Sequence, residues 1–271
     1  MEVSICIPVY NGEKYIAKTI ESAIHQTFDG AMEILIIDNM STDDTVGIVR
    51  NFDDERIRFI QNKENIGMVG NWNECLKQAR GKFIHILCAD DIMECDCIRE
   101  KYKLISRDKQ MTMVFGASMV VDEDNNVLLR RKPLRHGGVL NGIDLARRSF
   151  KSHNLFGEPS NVMFRRSTGV KIGGYNPDIP YSPDWDFHMR LAAYGRVGYV
   201  QDCLVRYRVS SDNLTTDYLK KRKLLKKDDR ELIKSVSALS ELNIRQADIT
   251  IHKLLILFRT MARRLFMMIR A

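Results

Sequence analysis

The first hundred residues alternate between short apolar runs and segments of helical periodicity, and this alternation constrains the fold more than any other feature. Val3 to Pro8 reads as a buried strand, and residues 13–27 place Ile16, Ile20, Ala23, Ile24 and Thr27 on one helical face. Glu33 to Ile37 is the next apolar run, followed by Ser41-Thr-Asp-Asp44, the Ser-x-x-acid pattern of a helix start. Arg56 to Ile60 alternates like a strand, 68–79 is helical with Gly81 as its stop, and Phe83 to Cys88 is strand again. This βαβαβαβ order predicts an α/β fold, a Rossmann-like and mostly parallel sheet with helices on both faces. In such sheets ligands sit outside the carboxyl ends of the strands. Those ends read Val9-Tyr10-Asn11, Asp38-Asn39, Asn62 to Asn65 and Ala89-Asp90-Asp91, so polar and acidic residues are expected along a single edge.

Beyond Asp91 the pattern changes. The sequence predicts a helix near 96–106, a strand at 111–121, a turn at Asp122 to Asn126 and a strand-like Val127 to Leu129. Residues 130–160 are loop-rich with a short helix near 142–149. The stretch GEPSNVMFRR follows, then a helix over 184–194 closed by Gly195 and two strands at 197–201 and 203–208. Residues 217–271 contain neither Gly nor Pro, which predicts one or two long helices as a C-terminal extension.

The charge is divided between these parts. The chain carries 42 Lys and Arg against 35 Asp and Glu, but 217–271 alone holds 14 against 6, so the whole basic excess lies in the tail. On a helical wheel His252, Arg259, Arg263 and Arg270 form one stripe opposite Leu254, Leu257, Phe258, Met261, Leu265 and Met268. Such a helix suits an anionic membrane surface, or equally packing on the body or on a second copy in a homo-oligomer. Confinement of the charge to an amphipathic tail argues against nucleic acid as the partner. Six scattered cysteines lack disulfide-scaffold density and zinc spacing, which points to reduced thiols and a cytoplasmic protein, peripheral at the inner membrane face if the tail binds lipid. Met1-Glu2-Val3 runs straight into strand-like sequence without the basic region of a signal peptide, and no stretch reads as a membrane span.

Three groups of residues carry chemistry. Asp38 ends the second strand, and a carboxylate there accepts hydrogen bonds only, which suits the imide N–H of uracil; the alternative is a cap for the turn at Ser41. Asp90 and Asp91 end the fourth strand. Hard cations such as Mg²⁺ or Mn²⁺ are often held by one or two carboxylates together with phosphate and water. Neighbours in extended backbone face opposite ways, so one acid of the pair can reach a metal while the other reaches a ribose hydroxyl. In SPDWDFHMRLAAYG, Asp184 stands at a helix start, as a general base towards a hydroxyl or as an N-cap, and Asp186 with Arg190 reads as an i,i+4 ion pair.

The order IPVYNGEKYI, IIDNMSTDDTVGIV, NIGMVGNWNECLKQARGKFIHILCADD, EPSNVMFRR with IGGYNP, then SPDWDFHMRLAAYG resembles family 2 of the glycosyltransferases, the inverting family on the GT-A fold, over residues 3–208. The resemblance implies a GT-A domain over 1–216, with a nucleotide-sugar-binding half (1–110) and an acceptor-binding half (111–216), followed by the tail. It implies that Pro8, Tyr10 and Asn11 shape the nucleotide pocket, with Asp38 on the base and Asp90 near the ribose. Asp91 would be the metal ligand of a DxD-like motif and Asp184 the catalytic base. Trp185, Gly174 and Tyr175 would lie on the sugar and acceptor side. The implied donor is a nucleotide sugar, most simply a UDP-sugar with Mn²⁺ or Mg²⁺, and the implied acceptor a saccharide or lipid-linked saccharide of surface polysaccharide or glycolipid synthesis.

The chain departs from the family pattern in several places. Asn39 stands for a second acid, Ala89 begins the DxD-like motif, Pro183 precedes Asp184, Trp72 replaces a common Arg, and Ser210 stands where many members carry His. Two rival readings are a non-catalytic nucleotide-sugar-binding relative and a sugar nucleotidyltransferase. The second expects a Gly-rich basic loop after the first strand, and VYNGEKYI has one Gly and one Lys.

Overall fold

Strand β1 (Val3–Val9) organises the sheet, because its residues are buried on both faces and it pairs with a parallel neighbour on each side. The computed structural model describes residues 1–210 and 222–256. Ten strands form one sheet. They are β1, β2 (Met32–Asp38), β3 (Ile57–Gln61), β4 (Phe83–Ile86), β5 (Ile92–Met93), β6 (Met111–Val121), β7 (Val127–Arg131), β8 (Gly138–Asn141), β9 (Val162–Arg165) and β10 (Arg196–Arg208). The main order is β3-β2-β1-β4-β9-β6-β10-β5, with β7 added to β6 and β8 to β10. Along that path β3, β2, β1 and β4 run parallel, as do β6 and β10, while β9 is antiparallel to both of its neighbours. The fold is the α/β arrangement that the sequence predicts.

Helices cover both faces. Val3, Ile5, Ile7, Ile34 and Ile36 point to a core shared with α1 (Ile16–Ile24), α2 (Thr45–Arg50) and α4 (Cys97–Ile105). Cys6, Leu35, Ile37, Ile84 and Ile86 point to the opposite core, shared with α3 (Gly67–Gln78), α5 (Gly142–Phe150) and α7 (Pro183–Ala193). Burial on both faces is why these strands read as unbroken apolar runs instead of alternating ones. Helix α6 (Arg166–Lys171) follows β9.

Two local features bear on the site. Pro8 sits in a central strand without breaking it, because β4 pairs with β1 only as far as Cys6 and leaves Pro8 facing β2 alone. Residues 197–208, expected as two strands, form the single strand β10, which slips register against β6 between Val200 and Cys203 and again before Arg206. Those bulges turn the last residues of β10 over the carboxyl end of β4.

Helix α8 (Arg222–Ser237) packs on α7, and Leu232, Val236 and Leu242 belong to the same core as α3, α5 and α7. The chain is helical again over 246–256. There His252 is buried, with its ring stacked on Phe150 at 4.3 Å and its nitrogens on the Phe150 carbonyl and Asp229. This stretch of the tail therefore packs on the body, and His252 is no part of an exposed basic stripe. The remainder of that stripe, Arg259, Arg263 and Arg270, and the boundary at 216 lie outside the described residues. No helix among the described residues is long and apolar enough to cross a membrane.

Candidate active site

The loop after β1 is laced to the loop after β2. The Asn11 amide donates to Ser41 Oγ, the Thr42 amide to Asn11 Oδ1 and the Gly12 amide to Thr45 Oγ1, each at 2.8 Å. The Glu13 amide donates to Asp43 and the Asp44 amide to Glu13, both at 3.0 Å. Asn11 takes a left-handed φ of 51°, which asparagine tolerates, and its side chain is engaged within this lacing. Pro8 is buried beneath the loop, while Tyr10 is 49% exposed and presents its ring above the strand ends.

Asp38, at the end of β2, is fully buried. Its carboxylate accepts from the Ser41 amide and, at 2.9 Å, from Gln61 Nε2. The capping contact weighed in the sequence is thus present. Asn39 does work that an acid could not. Its Nδ2 donates to Asn65 Oδ1 and to the Gly67 carbonyl, while its Oδ1 accepts from Asn62 Nδ2 and the Ile66 amide. All four bonds use the two donors and two acceptor sites of a carboxamide, and they join the ends of β2 and β3 to the start of α3.

Asp90 and Asp91 face opposite ways, and the structure decides which faces in. Asp91 is completely buried, with Oδ2 accepting from Ser160 Oγ at 2.5 Å and Oδ1 from the Arg208 amide at 2.9 Å. Burial and then the neighbouring Asp90 push its carboxyl well above the usual range, against the pull of those two donors. Asp90 is partly exposed, and its carboxylate takes no hydrogen bond from any other described side chain; burial raises it as well, with the Arg208 charge opposing. The open oxygens therefore belong to Asp90, whereas the sequence reading gave the cation to Asp91.

Arg208, at the end of β10, escaped the sequence reading because only the fold shows what it gathers. Its guanidinium donates to the carbonyls of Asp90, Asp122 and Glu123 and to Asn125 Oδ1, and it lies 4.5 Å from the Tyr15 ring centroid. One buried cation thus ties the acidic turn after β4 to the β6–β7 hairpin and to the loop after β1.

Asp184 lies in the first turn of α7, and its Oδ2 accepts from Asn154 Nδ2 at 3.0 Å. Burial pushes its carboxyl up to about 7, with the Trp185 amide opposing and the charge of Glu158 adding to the rise. Glu158 comes from the loop before β9. It accepts from Arg131 Nη1 at 2.7 Å and also contributes to the rise at Asp91. The partly buried Cys88 thiol, raised chiefly by desolvation, feels Asp91, Asp90 and Asp184 in turn. Asp90, Asp91 and Asp184 thus all act on Cys88, and Glu158 acts on Asp91 and Asp184, whereas Asp38 at the end of β2 is not among these groups.

The residues assigned to the sugar side fare differently. Trp185 is buried and donates from Nε1 to Ser149 Oγ at 2.9 Å, so its indole N–H is used in anchoring α7 to α5. Gly174 has a φ of 72°, and a Cβ there would lie 2.4 Å from Asn73 Oδ1; its carbonyl accepts from Arg190 Nη2. Gly174 shapes a turn that the buried Asp186–Arg190 pair, at 2.7 Å, holds against α7. Tyr175 is also buried, edge-on to Trp72, yet its hydroxyl has no hydrogen-bond partner among the described residues and feels the Asp184 charge. Asp228 of α8 accepts from the amides of Tyr181 and Ser182 and from Ser182 Oγ, fixing the loop that leads into Asp184.

Among the described residues no three acidic, His or Cys side chains form a cage that could hold a metal unaided. The partly exposed carboxylate of Asp90, which takes no hydrogen bond from another described side chain, fits a hard cation that brings phosphate and water as its other ligands.

Comparison with known proteins bears on the family and the fold. The profile described as glycosyl transferase family 2 matches residues 4–170. An uncharacterised glycosyltransferase of Methanocaldococcus jannaschii is 30% identical over 226 residues, covering 82% of this chain and 76% of the relative. Chondroitin synthase of Escherichia coli is 26% identical over 90% of this chain, which spans 33% of that protein. Among solved structures, TarS of S. aureus in complex with UDP-GlcNAc superposes with a TM-score of 0.73 at 17% identity, over 94% of this chain and 72% of that one. The mannosyltransferase PcManGT of Pyrobaculum calidifontis, in complex with GDP-Man and Mn²⁺, gives 0.62 at 16% identity, over 94% and 73%. These two likenesses concern the fold.

Proposed function

The chain belongs to glycosyl transferase family 2, and from that premise we propose that it transfers a sugar, with inversion, from a nucleoside-diphosphate sugar to a hydroxyl of a saccharide or lipid-linked saccharide. The observation that supports this reading is that Asp90 and Asp184 both act on Cys88, with Asp90 partly exposed and Asp184 raised to about 7. A carboxylate with that value is half ionised near neutrality, which suits a base that must take a proton from an alcohol and keep it while the bond forms.

The base would draw the proton from the acceptor hydroxyl onto the Asp184 carboxylate, held in place by Asn154. The oxygen attacks the anomeric carbon on the face opposite the departing diphosphate, so one bond forms as the other breaks and the configuration inverts. Asp90 would hold the divalent cation, Mn²⁺ or Mg²⁺, which offsets charge on the leaving diphosphate. Asp91 serves that site from behind, by locking Ser160 and the end of β10. The exposed Tyr10 ring would stack on the base. A uracil imide would exchange with Gln61 on Asp38, one N–H donor for another, and the UDP-GlcNAc held by the TarS structure lends support to uridine as the donor nucleotide.

A screen of nucleotide sugars for nucleoside-diphosphate release, with and without Mn²⁺ and a saccharide acceptor, tests the proposal. Release with one donor that requires both Asp90 and Asp184 supports it. Tight donor binding without release under every acceptor tried would make the chain a nucleotide-sugar-binding relative.

A further inference from the structure

Val127, Leu128 and Leu129 are consecutive apolar residues of β7, exposed by 47, 61 and 58%. They begin the run VLLRRKPLRH, ten residues that contain four Arg or Lys and no acid. Arg130, Lys132 and Arg135 are exposed. Of the three acids just before the run two are engaged, and the third, Asp124, is exposed in the turn. Asp122 accepts from its own turn at Asp124 and Asn126, and Glu123 pairs with Lys14. Strand β7 pairs with β6 on one edge only among the described residues, so the opposite edge and both faces of these three side chains are open.

The hairpin is also held rigidly beside the pocket. Arg131 is bonded to Glu158, the neighbour of Asp184, and Arg208 ties Asn125 at the hairpin turn to Asp90. Whatever this apolar and basic tip rests on is therefore fixed in position relative to the reacting groups.

We propose that the β6–β7 hairpin is a membrane-seating element, which inserts Val127, Leu128 and Leu129 at the boundary of an anionic bilayer while Arg130, Lys132 and Arg135 meet the lipid phosphates. The chemistry selects this occupant over others. Consecutive apolar residues gain from the acyl boundary, and flanking basic residues gain near an anionic surface, whose potential falls off within a Debye length. A second copy added edge to edge would set the Arg130 and Lys132 of two chains against each other across the new strand pair, and like charges there oppose pairing. A nucleic acid would leave the three apolar side chains without a use. The inference goes beyond the glycosyl-transfer reading and does not depend on it.

The full-length chain is mixed with phosphatidylcholine vesicles with and without phosphatidylglycerol, and bound protein is measured by sedimentation at several salt concentrations. The wild type is expected to partition onto the anionic vesicles, less strongly as salt rises. L128S/L129S removes two apolar anchors and is expected to lower the partition coefficient by about tenfold or more. In L128W, brominated phosphatidylcholine in the anionic vesicles is expected to quench the new indole, whereas Trp72 and Trp185, buried in the wild type, stay unquenched. Unchanged partition of L128S/L129S overturns the proposal, as does an unquenched L128W. A dimer in light scattering that L128S/L129S dissociates would assign the surface to a second copy and overturn it likewise.

Discussion

Asn154 Nδ2 donates both to Asp184 Oδ2 and to the Gly157 carbonyl at 3.0 Å, while its Oδ1 accepts from the amides of Phe156 and Gly157. All of its polar atoms are spoken for, so it aims one N–H at the carboxylate in a fixed direction. A hydrogen bond to the ionised form favours that form. Asn154 therefore restrains the rise that burial imposes on Asp184.

Transfer by the wild type should rise with pH and level off above about 7, because the acceptor proton can pass only to ionised Asp184. Asn154→Ala removes the donor that favours ionisation, so its profile should move to higher pH. Initial rates from pH 5 to 9 with saturating donor read both effects, and coincident profiles would remove Asn154 from this role.

Asp184→Asn should lower turnover by about 10²- to 10⁴-fold while leaving donor binding intact. It should also stabilise the fold above pH 7. A carboxyl raised from 3.8 to about 7 on folding contributes stability that is present in full below 3.8 and lost as pH rises through 7. The amide escapes that loss. The interval bounds the gain at roughly 4 kcal/mol, and partial solvent access reduces it to about 1–2 kcal/mol. Melting curves should separate the two proteins at pH 8 and superpose at pH 4.

The acidic pair can be split by substitution. Asp90→Asn should keep the fold and weaken Mn²⁺-dependent donor binding, read by calorimetry with and without the metal. Asp91→Ala leaves Ser160 Oγ and the Arg208 amide without a buried acceptor, and should cost about 2–4 kcal/mol in unfolding. The reverse result, a stable Asp91→Ala that has lost metal dependence beside an unaffected Asp90→Asn, would return the cation to Asp91.

Periodicity sufficed for the parallel half of the sheet because Val3–Val9 and Met32–Asp38 are buried on both faces and Ile16, Ile20 and Ala23 fall on one face of α1. Asp90, Asp91 and Asp184 were legible as acids at element ends. Which acid of the pair turned inward was not, since Asp91 is held by Ser160 and Arg208, 69 and 117 residues further on. Glu158 lay inside a stretch singled out for its pattern, but nothing local says that the loop before β9 returns to Asp184. The family resemblance implies Trp185 on the sugar side, but nothing local says that its indole N–H is taken by Ser149. The exposed tip at Leu128 read only as a strand, since exposure of an apolar run depends on which neighbour is missing.

Asn39→Asp restores the acid that resembles the family pattern, and the structure argues that it harms this chain. An aspartate keeps the two accepted bonds from Asn62 and Ile66 but cannot donate to Asn65 Oδ1 or to the Gly67 carbonyl, and it sets a buried charge against both oxygens. A loss of about 1–3 kcal/mol in chemical denaturation is expected, without tighter donor binding. Unchanged stability together with tighter binding would mean that the carboxamide network is dispensable.

Asp228 gives the clearest separation of position from charge, because it acts on the base from a different helix. Its carboxylate accepts the amides of Tyr181 and Ser182 and the Ser182 hydroxyl, and its charge adds to the rise at Asp184. In Asp228→Asn the side-chain oxygen can still accept from the loop while the charge is gone, so the base should ionise more readily and the rate profile move to lower pH with its plateau kept. In Asp228→Ala the loop also loses its anchor; the plateau itself should fall, by about tenfold for a base displaced from line, with the KM for donor unchanged. A merely structural Asp228 would lower the melting temperature of both variants and leave the pH midpoint where it was. The two contributions are thus read from one experiment, the position of the loop from the height of the profile and the charge from its midpoint.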